Sequence, residues 1–138
     1  MQTEKTLELE KATSEILAKE IVKVLFEKKG VDVTLYDVRE TTSVTDFYVN
    51  VTGRSSTHVG SLADDVAYMI GLRGRDPQRI EGKRGASWIL VDYMDVIVNV
   101  FDKESRSFYN FERLLPPDGK IDISILEREV DEKLQTNK

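Results

Sequence analysis

The chain has 138 residues, of which 40% are hydrophobic and 33% charged, and its formal net charge at pH 7 is −5. This length fits a single domain that can bury a sizeable core, whereas the acidic balance argues against broad binding to nucleic-acid phosphates, which needs clustered Lys and Arg. The absence of cysteine excludes a disulfide framework and thiolate metal sites.

The first residues, MQTEKTLELEK, carry several acids and lack an apolar centre. They therefore predict neither a secretory signal nor a basic transit peptide. No apolar run approaches the length of a membrane span. Together with the missing cysteines, these features favour a reducing compartment, and we expect a cytoplasmic protein.

Residues 13–29 show the apolar spacing of an amphipathic helix, with Gly30 as the expected C-terminal cap. A strand over 31–38, a polar loop over 39–45 and a second strand over 46–52 follow. The side chains expected to face the core are Ile16, Leu17, Ile21, Val24 and Leu25 of the helix, Val33 and Leu35 of the first strand, and Phe47, Val49 and Val51 of the second.

Residues 53–56, GRSS, turn the chain into a second helix, which Ser55 or Ser56 can cap by accepting hydrogen bonds from early backbone amides. Glycines and a proline mark the end of this helix, and the charged connection over 75–86 has room for a short strand around Ile80. The apolar stripe of the helix consists of Val59, Leu62, Ala63, Val66, Met69 and Ile70.

The longest β-rich run, 87–101, predicts an antiparallel hairpin that reverses at Met94 and Asp95. A two-residue turn prefers Gly, Asn or Asp, so a longer loop reaching back to Asp92 is the alternative. The hairpin places Tyr93 opposite Val96, Val91 opposite Val98 and Ile89 opposite Val100 on one apolar face. The other face pairs Asp92 with Ile97, Leu90 with Asn99 and Trp88 with Phe101.

The two faces of this hairpin differ in character. The apolar face predicts core packing, whereas the mixed face carries large aromatics, a carboxylate and an amide. Two interpretations of the mixed face stay open. It is either a binding surface, or it lies under a helix and Trp88 belongs to the core.

Beyond the hairpin, 102–107 is polar, 108–115 is apolar and should dock on the sheet, and the PPDG sequence at 116–119 breaks the chain. A final acidic helix is expected over 122–134. The order of elements predicts an α/β (α+β) single domain whose mixed β-sheet is covered by helices largely on one face. The apolar side of the last helix consists of Ile125, Leu126, Val130 and Leu134.

Catalytic machinery is not evident in the sequence. The single histidine, His58, lies in the first turn of a predicted helix, where the helix dipole favours its neutral form. Ser55 and Ser56 are close to it, but no orienting carboxylate or oxyanion site accompanies them. Hydrolase chemistry is therefore disfavoured, and a metal site would need clustered carboxylates.

The sequence VTGRSS, between a strand and a helix, resembles the start of a nucleotidyltransferase-like site, where free amides attract phosphate. Two-metal phosphoryl transfer also needs carboxylates that converge from one strand face. Asp64 and Asp65 are adjacent on a helix and diverge by about 100°, while Asp92 and Asp95 flank a turn. A nucleotide-binding protein or enzyme that uses Gly53–Ser56 is the alternative hypothesis, with no metal or cofactor predicted.

A protein-binding surface is the favoured hypothesis. Trp88 and Tyr93 near Asp92, Asp95 and Asp46 would form an aromatic centre with an acidic rim. Aromatic residues anchor protein interfaces, and the surrounding charges select the partner. The structural alternative is that Trp88 packs internally and the acids only solvate a turn.

Several separated blocks resemble the ribosomal silencing factor family (RsfS, or Iojap). They are DVRETTSVTDFYVNVTGRSSTHV at 37–59, EG at 81–82, WILVDYMDVIVNVF at 88–101 and FYNFERLL at 108–115. The resemblance covers 31–115, within a predicted domain over 1–117 that an acidic helical extension over 118–138 follows.

The resemblance implies an α/β domain related to nucleotidyltransferases but without their catalytic carboxylates. It implies a role that is not enzymatic and needs no cofactor. Family members dock on the fourteenth protein of the large ribosomal subunit, block joining of the small subunit and so repress translation. A homodimer is implied as well, without a membrane partner or sequence-specific nucleic-acid binding.

The family's W-x-x-x-D-Y-x-D block falls on four residues of this chain, which the resemblance therefore places at or near the ribosomal contact. These four are Trp88, Asp92, Tyr93 and Asp95. Further motif positions of the expected contact are Asp46, His58 and Glu81.

Glu112 and Arg113 match an E-R pair of the family, for which a structural role is one interpretation. Three positions depart from the family pattern, since Met94 replaces a usual Gly, Asn99 a usual His and Leu115 a usual Trp. The first departure bears on the tight turn. The other two bear on the contact surface and on the docking of the C-terminal segment.

Overall fold

The structure is a computed structural model that describes residues 8–136. The expectations for 1–7 and for the last two residues of the predicted extension lie outside this range. The described helices are α1 (Ser14–Glu27), α2 (Ser56–Leu72), α3 (Lys103–Tyr109) and α4 (Ser124–Thr136). The described strands are β1 (Val31–Asp37), β2 (Phe47–Gly53), β3 (Arg79–Glu81), β4 (Trp88–Asp92), β5 (Val96–Asp102) and β6 (Lys120–Ile121). Short 3₁₀ helices span Phe111–Leu114 and Pro117–Gly119.

The six strands form one mixed sheet in the order β3-β4-β5-β2-β1-β6. Strands β2 and β5 run parallel in its centre, and every other pair is antiparallel. Helices α1 and α2 pack on one face of this sheet, and α4 packs against α1. The predicted α/β class, with a mixed sheet covered largely on one face, is confirmed.

The core lies between the sheet and α1 and α2, and it contains the predicted apolar faces of the strands and of the hairpin. Two predicted core residues are exceptions, because Ile16 is 51% and Ile125 61% exposed. Each is one position away from a buried or partly buried residue of its helix, Leu17 in α1 and Leu126 in α4. One position rotates a side chain by about 100°, which turns both isoleucines away from the core.

Gly30 does not cap α1 as predicted. The left-handed position after the cap is taken by Lys29, with φ 66°, and the Gly30 amide then donates to the Leu25 carbonyl at 2.8 Å. A Cβ on Gly30 would lie 2.6 Å from a methyl of Val51. The glycine is therefore required by the close approach of the chain to β2.

The β4–β5 hairpin has the predicted register, from Trp88 opposite Phe101 to Asp92 opposite Ile97, and the Tyr93 amide donates to the Val96 carbonyl at 2.9 Å. The alternative of a longer loop reaching back to Asp92 is therefore wrong. Met94 instead adopts a φ of 77°, and the Asp95 amide donates across it to the Tyr93 carbonyl at 3.0 Å. This arrangement is a strained γ-turn.

Beyond Pro117 the chain returns to the sheet. Strand β6, which was not predicted, pairs with β1, and Val130 of α4 is buried. Lys23 of α1 reaches Glu129 of α4 at 3.3 Å. Within residues 8–136, no helix combines the length and the apolarity that crossing a bilayer requires.

We predict that Met94→Gly stabilises the protein by about 1 kcal/mol. A non-glycine residue in a sparsely populated backbone region costs about 1–3 kcal/mol, and relief of this strain outweighs the extra unfolded-state entropy of glycine, about 0.5–1 kcal/mol. Urea unfolding measures the change. Val44→Gly, in another loop with an exposed apolar side chain and no positive φ, is the control and should be destabilising. A loss of stability in Met94→Gly would contradict the strain argument.

Candidate partner-binding surface

The sheet face opposite α1 and α2 carries a short segment, residues 103–115, that contains α3 and the first 3₁₀ helix. The Asp102 carboxylate caps α3 by accepting from the Ser105 amide at 2.7 Å, and Asn110, at φ 48°, ends it. The chain then turns onto the sheet, where Phe111 and Leu115 pack against residues of β1 and β2. The predicted docking of 108–115 therefore holds for these two residues.

Other side chains of this segment remain in solvent, and Phe108 is 81% exposed. Its ring lies 5.0 Å from that of Tyr109, which lies 5.0 Å from that of Trp88. The Trp88 and Phe111 rings are 6.0 Å apart, and the Phe111 and Tyr48 rings 5.1 Å. We call this row the aromatic face, and it consists of Tyr48, Trp88, Phe108, Tyr109 and Phe111.

Trp88 is partly a core residue and partly a surface residue, so each of the two interpretations of the mixed face holds in part. Its ring lies 5.0 Å from that of the fully buried Phe101, and it is only partly buried itself. Its exposed part borders Tyr109, which is 49% exposed. Contiguous exposed aromatic surface of this kind marks interaction sites in proteins.

A line of hydrogen bonds runs beneath the aromatic face, across four strands. The Trp88 indole N–H donates to Asn99 Oδ1 at 3.0 Å, and Asn99 Nδ2 donates to Asn50 Oδ1 at 3.0 Å. Asn50 Nδ2 donates to Thr34 Oγ1 at 3.3 Å, and Thr34 donates to the Glu112 carboxylate at 2.6 Å. We call these five residues the polar row.

Arg106 binds the Glu112 carboxylate, which is the last group of the polar row. Its guanidinium donates two hydrogen bonds to Glu112, at 2.8 and 2.9 Å, and one to the Asp32 carbonyl at 2.8 Å. Burial raises the pKa of the Glu112 carboxyl, but hydrogen bonds from Arg106 and Thr34 and the Arg106 charge outweigh it and hold that pKa below its ordinary value.

Tyr93 does not join Trp88 in an aromatic centre, so that part of the predicted surface is wrong. Side chains alternate along a strand, and Tyr93 lies on the core face, where it is 2% exposed. Burial raises the pKa of its hydroxyl, which has no hydrogen-bond partner among the described residues. Its predicted part in partner binding stays a prediction.

The predicted acids lie together at the end of the sheet where the hairpin turns. The Asp46 amide donates to the Asp95 carbonyl at 3.1 Å. Arg79 reaches the Asp92 carboxylate at 3.1 Å and Arg75 the Asp95 carboxylate at 2.9 Å, so neighbouring cations partly neutralise this rim. Trp88 is four residues from Asp92 along β4, about 13 Å at the usual strand rise, and Tyr48 is the aromatic residue near that carboxylate.

His58 and Glu81 lie elsewhere. His58 Nδ1 accepts from the Arg54 amide at 2.9 Å, and Nε2 lies 3.0 Å from the Lys28 carbonyl, which suits the neutral ring with its proton on Nε2. Glu81 is exposed on the edge strand β3, 3.3 Å from Arg79. The histidine thus joins the start of α2 to the end of α1.

The turn at 53–56 has a local structural explanation. Ser55, rather than Ser56, caps α2 by accepting from the His58 amide at 3.1 Å. A Cβ on Gly53 would lie 2.7 Å from the Val59 amide nitrogen, so packing against α2 requires the glycine. Across residues 8–136 no three His, Cys, Asp or Glu side chains are grouped to hold a metal ion.

Sequence reasoning missed Arg106, Thr34 and the pairing of Asn50 with Asn99. A signal was available for the asparagines, because each stands between two valines on a predicted strand. Their direct opposition follows from the parallel β2–β5 register. Asn99, which departs from the family pattern, is thus a central member of the polar row, and Leu115 is buried with Tyr36 and Val38.

Comparisons with known proteins converge on one family. A family model described as "Ribosomal silencing factor during starvation" matches residues 11–138. A ribosomal silencing factor of Haemophilus influenzae is 36% identical over 86 residues, which are 62% of this chain and 84% of that protein. A Mus musculus protein named "Mitochondrial assembly of ribosomal large subunit protein 1" is 25% identical over 97 residues, 68% of this chain and 42% of that protein. A crystal structure of a Chromobacterium violaceum protein, 30% identical, matches with a TM-score of 0.73 over 75% of this chain and 87% of that one.

We predict that Glu112→Gln lowers the free energy of unfolding at pH 7 by about 1–3 kcal/mol, because hydrogen bonds to charged groups are lost. The folded-state pKa of Glu112 lies below its ordinary value of 4.5. Its ionised form therefore stabilises the protein fully above pH 4.5, and this contribution disappears as the pH falls through the folded-state pKa. Urea unfolding between pH 3 and 7 should show the two proteins converging at low pH. The control is the exposed Glu132→Gln, and a pH-independent gap would contradict the prediction.

We also predict that Tyr93→Phe leaves the protein at least as stable as the wild type. Removing a buried hydroxyl that lacks a partner removes a desolvation cost of about 1–3 kcal/mol without opening a cavity. Thermal unfolding of Tyr93→Phe and Tyr93→Ala separates the hydroxyl from the ring, and the alanine variant should be strongly destabilised. A clear loss of stability in Tyr93→Phe would mean that the hydroxyl has a partner.

Proposed function

The chain belongs to the ribosomal silencing factor family, and from that premise we propose that it represses translation by occupying the large ribosomal subunit. In this proposal it binds the fourteenth protein of that subunit and sterically blocks joining of the small subunit. The mouse relative is named for the ribosomal large subunit, which supports this choice of subunit.

The aromatic face carries the proposal. Phe108 and Tyr109 expose large rings beside Trp88. Hydrogen bonds from Arg106 to Thr52 and from Thr34 to Glu112 attach their segment to the sheet. Rigid aromatic side chains bury a large area on binding at a small entropic cost, and they dominate the energetics of many protein interfaces. We therefore place the ribosomal contact on this face.

Charge supports the same partner class. The chain has a net charge of −5. An acidic protein is steered towards a basic ribosomal protein, which raises the association rate and helps to fix orientation. Asp46, Asp95, His58, Glu81 and Tyr93 stay candidate contact residues from the family pattern.

Occupancy of the surface is the whole mechanism, and it needs no enzymatic step and no cofactor. A cytoplasmic location, where the ribosomes are, belongs to the same proposal. So does a homodimer, which analytical ultracentrifugation of the purified chain would test.

We predict that Tyr109→Ala weakens binding to purified large subunits by about tenfold or more, as is typical for an aromatic residue central to an interface. Fluorescence anisotropy with a label placed on the chain, whose tumbling slows when it binds, measures the affinity. The matched control is Tyr68→Ala, since Tyr68 is 65% exposed on α2, which packs on the other face of the sheet. It should bind as the wild type does.

Sucrose gradients test the consequence of binding. Added to large subunits before small subunits, the wild type should reduce the fraction of joined ribosomes, and Tyr109→Ala should reduce it less. Equal affinities of the Tyr109 and Tyr68 variants would remove the aromatic face as the contact. A wild-type chain that never migrates with large subunits would overturn the proposed function.

A further inference from the structure

The polar row has a direction that its two ends determine. An indole N–H can only donate a hydrogen bond, so Asn99 must turn its oxygen towards Trp88 and its NH₂ group towards Asn50. Asn50 must then accept with its oxygen and donate to Thr34. At the other end an ionised carboxylate can only accept, so the Thr34 hydroxyl donates to Glu112.

The hydrogen bonds of the polar row allow only one orientation of the side-chain amide in each of the two asparagines. Both amides are buried, at 0% exposure for Asn50 and 1% for Asn99, so solvent cannot satisfy a reversed group. Hydrogen bonds that all point the same way polarise one another, and an ionised acceptor at the end strengthens the series. The Trp88 indole and the Glu112 carboxylate are thus the two ends of one series of four hydrogen bonds.

We infer that Glu112, held by Arg106, is a positioning residue for partner binding, which fixes the Trp88 ring in the aromatic face through the polar row. Glu112 also lies next to Phe111 in the same 3₁₀ helix, and Arg106 lies two residues before Phe108. This ion pair lies within the segment that carries the exposed rings. Hydrogen bonds from Thr34 to Glu112 and from Arg106 to the Asp32 carbonyl join that segment to β1. The inference rests on the proposed function, because it assigns a role in the same surface.

This role applies to Glu112 but not to its neighbour Arg113, although the family pattern presents the two as a pair. Arg113 follows Glu112 directly, but its side chain is exposed and is not part of the polar row. Arg106, six residues before Glu112, is its charge partner. The two arginines of this segment are therefore expected to differ in their effect on the indole.

The chain has a single tryptophan, so spectroscopic signals of the indole report on Trp88 alone. In the ¹⁵N-labelled full chain, Glu112→Gln should move the indole N–H resonance upfield and increase quenching of the fluorescence by acrylamide, because a carboxamide can donate to Thr34 and disturb the direction of the row. Binding to large subunits should weaken by about three- to tenfold, the usual effect of leaving one interface side chain to be ordered on binding. Arg113→Gln is the matched control and should change neither signal nor affinity.

A second pair of variants keeps the test decisive if Glu112→Gln unfolds. Thr34→Val removes the hydroxyl from the row at nearly constant shape, and Thr34→Ser retains it. We expect the valine variant to repeat the indole shift and the loss of affinity, and the serine variant to restore both towards wild type.

The outcomes are distinguishable. An unchanged indole resonance in folded Glu112→Gln and Thr34→Val would overturn the inference, and so would a shifted resonance with unchanged affinity. A wild-type chain that does not bind large subunits would overturn the proposed function instead, while the resonances of the free protein would still decide whether Glu112 controls Trp88.

Discussion

Two buried amides, Asn50 and Asn99, lie side by side in the centre of the sheet, and much of the second face follows from their need for hydrogen bonds. The parallel β2–β5 register sets them directly opposite each other. Each needs further partners, because a buried polar group without one costs free energy. Trp88 supplies the donor on one side, and Thr34 supplies the acceptor on the other. Four strands are thereby joined through side chains as well as through backbone hydrogen bonds.

The polar row also explains why a short, partly exposed segment keeps its place on the sheet. Helix α3 has seven residues and none of them is buried, so apolar packing contributes little to holding it. The Arg106–Glu112 ion pair lies within the segment, and hydrogen bonds from Arg106 to Thr52 at 3.0 Å and from Thr34 to Glu112 at 2.6 Å join it to the strands. Phe111 and Leu115 add the apolar contacts. The exposed rings of Phe108 and Tyr109 therefore lie on a segment that is held to the sheet by both polar and apolar contacts.

The two faces of the sheet differ in composition and in how they are covered. One face is closed by α1 and α2 around a continuous apolar core, which supplies the stability of the fold. The other face combines aromatic rings with buried polar groups, an arrangement that favours one well-defined geometry and leaves apolar surface exposed. The acids at the hairpin end are partly balanced by Arg75 and Arg79, so the rings rather than a strong local charge distinguish this face.

The sequence by itself determined most of the helices and strands, the hairpin register and most of the core face, because helical and strand periodicities place apolar residues on one side of each element. It also carried the family resemblance, which the comparisons confirmed. Only the tertiary structure decided how the second face is arranged. Tyr93 follows Asp92 directly, whereas Trp88 is four residues from it, yet Tyr93 lies in the core, since alternation along the strand turns it to the opposite face. The links from Thr34 to Glu112 and from Asn50 to Asn99 join residues 78 and 49 positions apart. Such contacts depend on strand order and on the return of the chain over the sheet, which no local pattern encodes.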